Sequence, residues 1–224
     1  MLKIITIDGP ASSGKGTIAK IVATKLGFDY LDSGAIYRSL AILALEHNVI
    51  DSAFPHSEIT EIKLKELLSL VSNMTLSFIA DKVMLNGNDI SVAVRGETVG
   101  LAASNIAKIA EVRAKLLDFQ RNFAKPPGLV TDGRDMGSVV FPNADLKIYL
   151  TSDAKVRAER RAMQLQTRGI YVKMTDILAD IEMRDLQDKS RKNSPLVYDN
   201  SYKVLDNSDL TIDATVDQIL RWFK

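Results

Sequence analysis

The sequence predicts an α/β fold: a parallel core sheet with helices on both faces, carrying a small antiparallel insertion. Three observations carry this expectation. Short apolar, β-branched runs alternate with long helical patterns, and that alternation is how parallel strands joined by crossovers read. A glycine-rich loop falls between the first such run and the first helical pattern. Residues 74–92 interrupt the alternation with short strand-like runs separated by tight-turn residues.

Strands are expected at residues 3–8, 128–132, 146–151 and 209–213. Directly after the first comes Gly9-Pro10-Ala11-Ser12-Ser13-Gly14-Lys15-Gly16-Thr17, and then Ile18, Ile21, Val22 and Leu26 recur at helical spacing. A strand, a glycine-rich loop with a lysine and a helix form a phosphate-binding loop, so the core reads as that of a P-loop NTPase. Gly9 and Gly14 let the backbone wrap an anion, successive N–H groups and the helix N-terminus face it, and Lys15 brings a compact cation to the β/γ-phosphates. The hydroxyl stands at Thr17 rather than directly after the lysine, because Gly16 intervenes.

Next, Leu31-Asp32-Ser33-Gly34-Ala35-Ile36-Tyr37-Arg38 leads into a helix with Asp32 or Ser33 as its N-cap, and Arg38 lies one turn on, where a guanidinium can reach a phosphate. A helix is expected over 57–72. The insertion follows, with Thr75-Leu76-Ser77-Phe78, Lys82-Val83-Met84-Leu85 and Asn86-Gly87-Asn88-Asp89, and then a helix over 98–124 closed by Pro126-Pro127. Asp132-Gly133-Arg134-Asp135 sits where a buried strand ends. Asp132 is placed to hold a Mg²⁺-bound water, and Arg134 and Asp135 need partners if buried. In a parallel sheet ligands gather at the carboxyl ends of strands, so this segment and the loop at 9–17 should share one edge. Arg157, Arg160, Arg161 and Arg168 decorate one helical stretch, and Arg184, Asp185, Asp188 and Arg191 the next. Such runs are usually solvated faces, but phosphoryl transfer needs cations in this number. The last helix is expected to start at Thr215, with Gln218 completing a capping box.

Composition narrows the function. With 224 residues the chain can bury a sizeable core as one domain. Lys and Arg number 29 against 28 Asp and Glu, which argues against a dedicated nucleic-acid binder. The absence of cysteine excludes disulfides and thiolate metal sites. No signal region or membrane-length apolar stretch is read, so a cytoplasmic protein without a membrane partner is expected.

The loop at 9–17, Leu-Asp-Ser-Gly-Ala-Ile-Tyr-Arg at 31–38, Asp-Gly-Arg-Asp-Met-Gly-Ser-Val-Val-Phe-Pro at 132–142, and Arg-Asp-x-x-Asp-x-x-Arg at 184–191 followed by Ser194-Pro195-Leu196 closely resemble the bacterial cytidylate kinases. The resemblance runs from Gly9 to Leu196 in family order. It implies one nucleoside monophosphate kinase domain with a core at 1–35, 127–152 and 192–224. An NMP-binding region with its insertion would span 36–126, and a lid with its following helix 153–191. It implies CMP or dCMP as acceptor and ATP as donor with Mg²⁺; a monomer is expected. Carried over by motif, residues 9–17 hold the ATP phosphates. Ser33, Arg113, Asp135 and Arg191 resemble the cytosine pocket, Ser104, Arg184 and Asp188 the sugar contacts, and Arg38 and Arg134 the grip on the acceptor phosphate. Thr17 and Asp132 would serve the metal, Asp132 through water. Lys15, Arg134 and the lid residues Arg157 and Arg161 would stabilise the transferring group.

Cytosine presents an exocyclic amino donor, so a carboxylate at Asp135 can accept from it, whereas uracil would face it acceptor to acceptor. The alternatives are another nucleoside monophosphate kinase acting on UMP or AMP, and a P-loop switch ATPase or GTPase. A GTPase would carry an Asn-Lys-x-Asp motif and a transporter-type ATPase a Ser-Gly-Gly signature. Neither occurs in the chain.

Overall fold

A computed structural model of the chain describes residues 1–51, 59–79, 82–167, 169–191 and 193–224. They form two units, Met1–Leu31 with Ala124–Lys224, and Asp32–Phe123.

The first unit carries a five-stranded sheet ordered β2-β6-β1-β7-β8, with β1 at Lys3–Asp8, β2 at Asp29–Asp32, β6 at Gly128–Gly133, β7 at Leu146–Thr151 and β8 at Tyr202–Asp206. The pairs β1/β6, β1/β7 and β7/β8 are parallel. Asp8 stands opposite Gly133 and Tyr149, so the loops after β1 and β6 leave the sheet at the same edge, as expected. Period-two alternation sorts each strand. Ile5, Ile7, Val130, Ile148, Leu150 and Leu205 form one core with Ile18, Ala19, Val22 and Ala23 of α1 (Lys15–Leu26) and Val216 and Ile219 of α8 (Ile212–Phe223). On the other face Tyr149 and Tyr202 pack with Leu196. Helices α6 (Ala154–Gln166) and α7 (Met174–Ser190) pair through Ala158, Ile177 and Ile181.

The second unit opens on α2 (Ser33–Glu46), where the Asp32 side chain caps the helix by accepting from the Ala35 N–H at 2.9 Å. Helix α3 (Glu61–Asn73) precedes a three-stranded antiparallel sheet, β3 (Leu76–Ile79), β4 (Lys82–Leu85) and β5 (Asn88–Asp89). This is the expected insertion. Asn86 and Gly87 both take positive φ, 48° and 83°, which a two-residue hairpin turn between right-twisted strands requires. A short 3₁₀ turn at Ala93–Arg95 leads to α4 (Glu97–Ile106) and α5 (Ala110–Arg121).

Three expectations are corrected here. The strand placed at 209–213 lies instead at Tyr202–Asp206, and the last helix starts at Ile212, not Thr215. The Thr211 hydroxyl caps it by accepting from the Ala214 N–H, and Leu210 and Ile212 stay exposed, so no core calls that stretch into the sheet. The helix expected over 98–124 is two helices, because Lys108 and Ile109 bond back three residues and end the first. Of the helix expected over 57–72, the described part is α3, and residues 57 and 58 lie outside the described residues. Residues 29–32, where no strand was expected, form the edge strand β2.

Candidate functional site

In the first unit the loop after β1 forms a cradle. Gly14 adopts φ 86°, a conformation that costs a side-chain-bearing residue energy, and turns the chain into α1 without a side-chain cap. The first amides of α1 are thus turned toward whatever lies at its N-terminus, and the helix dipole favours an anion there. Ser13 is fully buried, and its hydroxyl has no hydrogen-bond partner among the described residues. A buried hydroxyl in that position is costly unless a ligand completes it, so the cradle suits phosphate oxygens. Lys15 is buried too, its Nζ donating to the Pro10 carbonyl at 3.2 Å.

Two arginines of α6 brace this loop from outside. Arg157 donates to the carbonyls of Ser152 at 2.9 Å and Ala11 at 3.0 Å, and forks onto Asp185 of α7 at 2.5 and 3.1 Å. Arg160 reaches the Ser13 carbonyl, the Ser152 hydroxyl and the side chain and carbonyl of Asn207, while the Asn207 amide also donates to the Ser13 carbonyl at 3.1 Å. Arg161 lies half-buried on the same helix. Arg168 lies outside the described residues.

On the neighbouring strand, Asp132 accepts from the Tyr30 hydroxyl at 2.7 Å. A side chain on Gly16 would stand 3.8 Å from both Asp132 oxygens, so the glycine keeps the space beside this carboxylate open. Thr17 is exposed. Among the described residues no cluster of three or more His, Asp or Glu could hold a metal. A lone carboxylate beside a phosphate cradle suits Mg²⁺, which keeps much of its water and draws other ligands from phosphates.

Beyond Asp132 the chain turns sharply at the wide helical turn Met136–Val140. Asp135, just before it, is buried. Arg134 donates from Nε to Asp188 at 2.5 Å, and Arg191 pairs with the other oxygen of Asp188. Burial pushes the Asp188 carboxyl up, yet Arg134 and Arg191 outweigh it and hold the group below the usual carboxylate range. Burial likewise opposes the charge of Arg134, and Asp188 overcomes it, so the guanidinium stays protonated. Arg134, Asp188 and Arg191 are therefore one assembled group. Arg184 stands apart from it, paired with Asp180 one turn back on α7 at 3.0 Å.

In the second unit, α2 organises the remaining residues. Its Ser33 hydroxyl donates to Gln120 Oε1 of α5 at 2.7 Å. Arg113 lies over the Tyr37 ring, 5.5 Å from its centroid, and donates to the Ala107 carbonyl at the end of α4. Arg38 donates to the carbonyls of Val94 and Gly96 at 3.0 and 3.2 Å. A Cβ on Gly100 of α4 would stand 2.9 to 3.2 Å from the Arg38 guanidinium, so glycine is what lets that group lie against the helix. Ser104 is half-buried on α4.

Sequence reasoning named Asp185 and Arg160 without their partners, and missed Gln120, Asn207 and Tyr30. Only Asn207 carried a local signal, as the polar residue ending a strand, and the misplaced strand hid it.

A family model described as cytidylate kinase matches residues 5–224. The chain is 45% identical over 223 residues to a protein named cytidylate kinase from Polynucleobacter asymbioticus, covering 100% of this chain and 97% of that one. A protein of the same name from Cupriavidus necator is 44% identical over 223 residues, covering 100% and 96%. Among solved structures, that of an uncharacterized protein from Eubacterium ventriosum matches with a TM-score of 0.54 at 15% identity, covering 100% of this chain and 98% of that one. This last likeness concerns the fold alone.

Proposed function

We propose that this chain, which belongs to the cytidylate kinase family, transfers the γ-phosphoryl group of ATP to CMP and dCMP, giving ADP with CDP or dCDP. What carries the reading is a pair of features on adjacent strands of one sheet. A phosphate cradle follows β1, and the buried Asp135 with the Arg134, Asp188 and Arg191 group follows β6.

The acceptor phosphate oxygen is already a nucleophile. No covalent enzyme intermediate and no strong general base are needed, and catalysis reduces to in-line positioning and charge neutralisation. Residues 9–17 hold the donor phosphates, with Lys15, Arg157 and Arg161 neutralising the transferring group. Arg38 and Arg134 orient the acceptor phosphate. Asp135 accepts from the cytosine amino group, with Ser33, Arg113 and Arg191 serving the rest of the base, and Ser104, Arg184 and Asp188 serve the sugar. Thr17 and Asp132 would hold Mg²⁺, Asp132 through water, and the ion when bound screens the phosphate charges. In this reading the enzyme acts as a cytoplasmic monomer. Among the described residues no helix is long and apolar enough to cross a membrane.

A coupled assay of ADP release across CMP, dCMP, UMP, AMP and GMP tests the reading. CMP and dCMP should lead; a lead for UMP or AMP would make it a different nucleoside monophosphate kinase.

A further inference from the structure

Asp8 is the last residue of β1 and the residue before the phosphate loop, and it is completely buried. Three donors converge on its two carboxylate oxygens. Oδ1 accepts from the Met136 N–H at 2.8 Å, and Oδ2 accepts from the Gly137 N–H at 2.8 Å and the Tyr202 hydroxyl at 3.1 Å. The two amides belong to the first residues of the wide turn that follows Asp135. Gly137 presses so closely on this side of the sheet that a Cβ would stand 2.6 Å from both the Thr6 and Tyr202 hydroxyl oxygens.

The consequence is geometric. Gly133 is fixed by its pairing opposite Asp8, and Met136 and Gly137 are fixed by the Asp8 carboxylate. Arg134 and Asp135 are the two residues strung between those anchors. We propose that Asp8 is a positioning residue for the acceptor nucleotide: it sets the direction of Arg134 and Asp135 and ties their turn to the strand end from which the phosphate loop starts. The proposal rests on the CMP kinase reading above.

A carboxylate is required here and an amide will not serve. Asparagine offers one oxygen, and its NH₂ would meet one of the converging donors head-on, leaving a buried amide unsatisfied. The ionised group is kept despite a cost. Burial pushes the carboxyl up to about 6, with Asp135 adding to that, while the two amides and Tyr202 pull the other way.

The test compares Asp8→Asn and Tyr202→Phe with the parent chain in steady-state kinetics on CMP and UMP, with thermal unfolding run alongside. For folded Asp8→Asn, the KM for CMP should rise about tenfold or more and the CMP over UMP preference in kcat/KM should fall by a similar factor, while the KM for ATP stays within about twofold. Tyr202→Phe removes one donor of three, and should raise the KM for CMP about two- to threefold without touching the KM for ATP. Should Asp8→Asn fail to fold, the Tyr202→Phe result decides. An unchanged KM for CMP, or a loss shared equally by CMP and ATP, would overturn the positioning role. Turnover of the parent chain separates the two readings. Its absence on CMP sinks the kinase assignment, whereas normal parent turnover with unaltered variants sinks only the role of Asp8.

Discussion

Arg157 of α6 and Asp185 of α7 meet fork to fork, at 2.5 and 3.1 Å, and the same guanidinium holds the Ala11 carbonyl of the phosphate loop. Both side chains are largely withdrawn from water, at 5% and 17% exposure, so neither can lose its partner cheaply.

Asp185→Ala should therefore destabilise the chain by about 3 kcal/mol, because it leaves a buried guanidinium charge uncompensated. Urea unfolding measures this. A loss under about 1 kcal/mol, the range of exposed pairs, would contradict a structural role for the pair. The KM for ATP should rise in the same variant, since Arg157 braces the loop.

Asp135→Ala should shrink the preference for CMP over UMP by about ten- to a hundredfold in kcat/KM, the worth of one buried polar contact that uracil cannot make. Steady-state comparison of the two acceptors checks it. An intact preference would remove Asp135 from the base pocket.

Gly100→Ala separates stability from binding. Alanine gains about 1 kcal/mol of helix propensity over glycine, offsetting the displacement of a guanidinium at the far end of a flexible side chain. Thermal stability should stay near that of the parent, while the KM for CMP rises several-fold as Arg38 is pushed from the carbonyls of Val94 and Gly96. An unchanged KM would contradict the assignment of Arg38 to the acceptor phosphate.

The buried Asp8 predicts a pH dependence of stability. Its carboxyl ionises at about 6 when folded, against an ordinary 3.8, so between those values the folded chain binds more protons than the unfolded one. Its contribution is fully present below about pH 4 and is lost as pH rises through about 6, a span of about 3 kcal/mol. The stability difference between parent and Asp8→Asn, read from urea midpoints, should move against the parent across that window. Asp188 has the opposite sign: held low, it contributes above its unfolded pKa and stops contributing as the pH falls through its folded one. A flat difference for Asp8 would contradict its burial as an ionisable group.

Much of the core was legible because its strands are buried along most of their length. Residues 3–8, 128–132 and 146–151 are short, largely apolar runs rich in Ile, Leu, Val and Thr and match β1, β6 and β7, β6 running one residue further to Gly133. The edge strands were not. In β8 only Tyr202 and Leu205 are buried, three apart, so no period-two pattern survives, and β2 buries Leu31 alone. The break between α4 and α5 is equally silent, since apolar residues continue through it at Ala107 and Ile109 and the end is made by backbone bonds. At the site, the motifs named the charged residues but not their partners. Arg134 finds Asp188 54 residues away, Ser33 finds Gln120 87 away, and Asp8 finds Met136 128 away. Such pairings are products of the chain's path and leave no local trace. The Arg184 partner, Asp180 one turn back on α7, was likewise not named.

The most direct measurement is the initial rate of CDP formation from CMP and ATP, with ADP followed in the same reaction, for the parent chain and Lys15→Ala. CDP and ADP should appear one for one, with CMP ahead of UMP and AMP, and the folded Lys15→Ala variant should be slower by about a hundredfold or more. ADP without CDP, or a folded Lys15→Ala variant with near-normal turnover, would contradict the account.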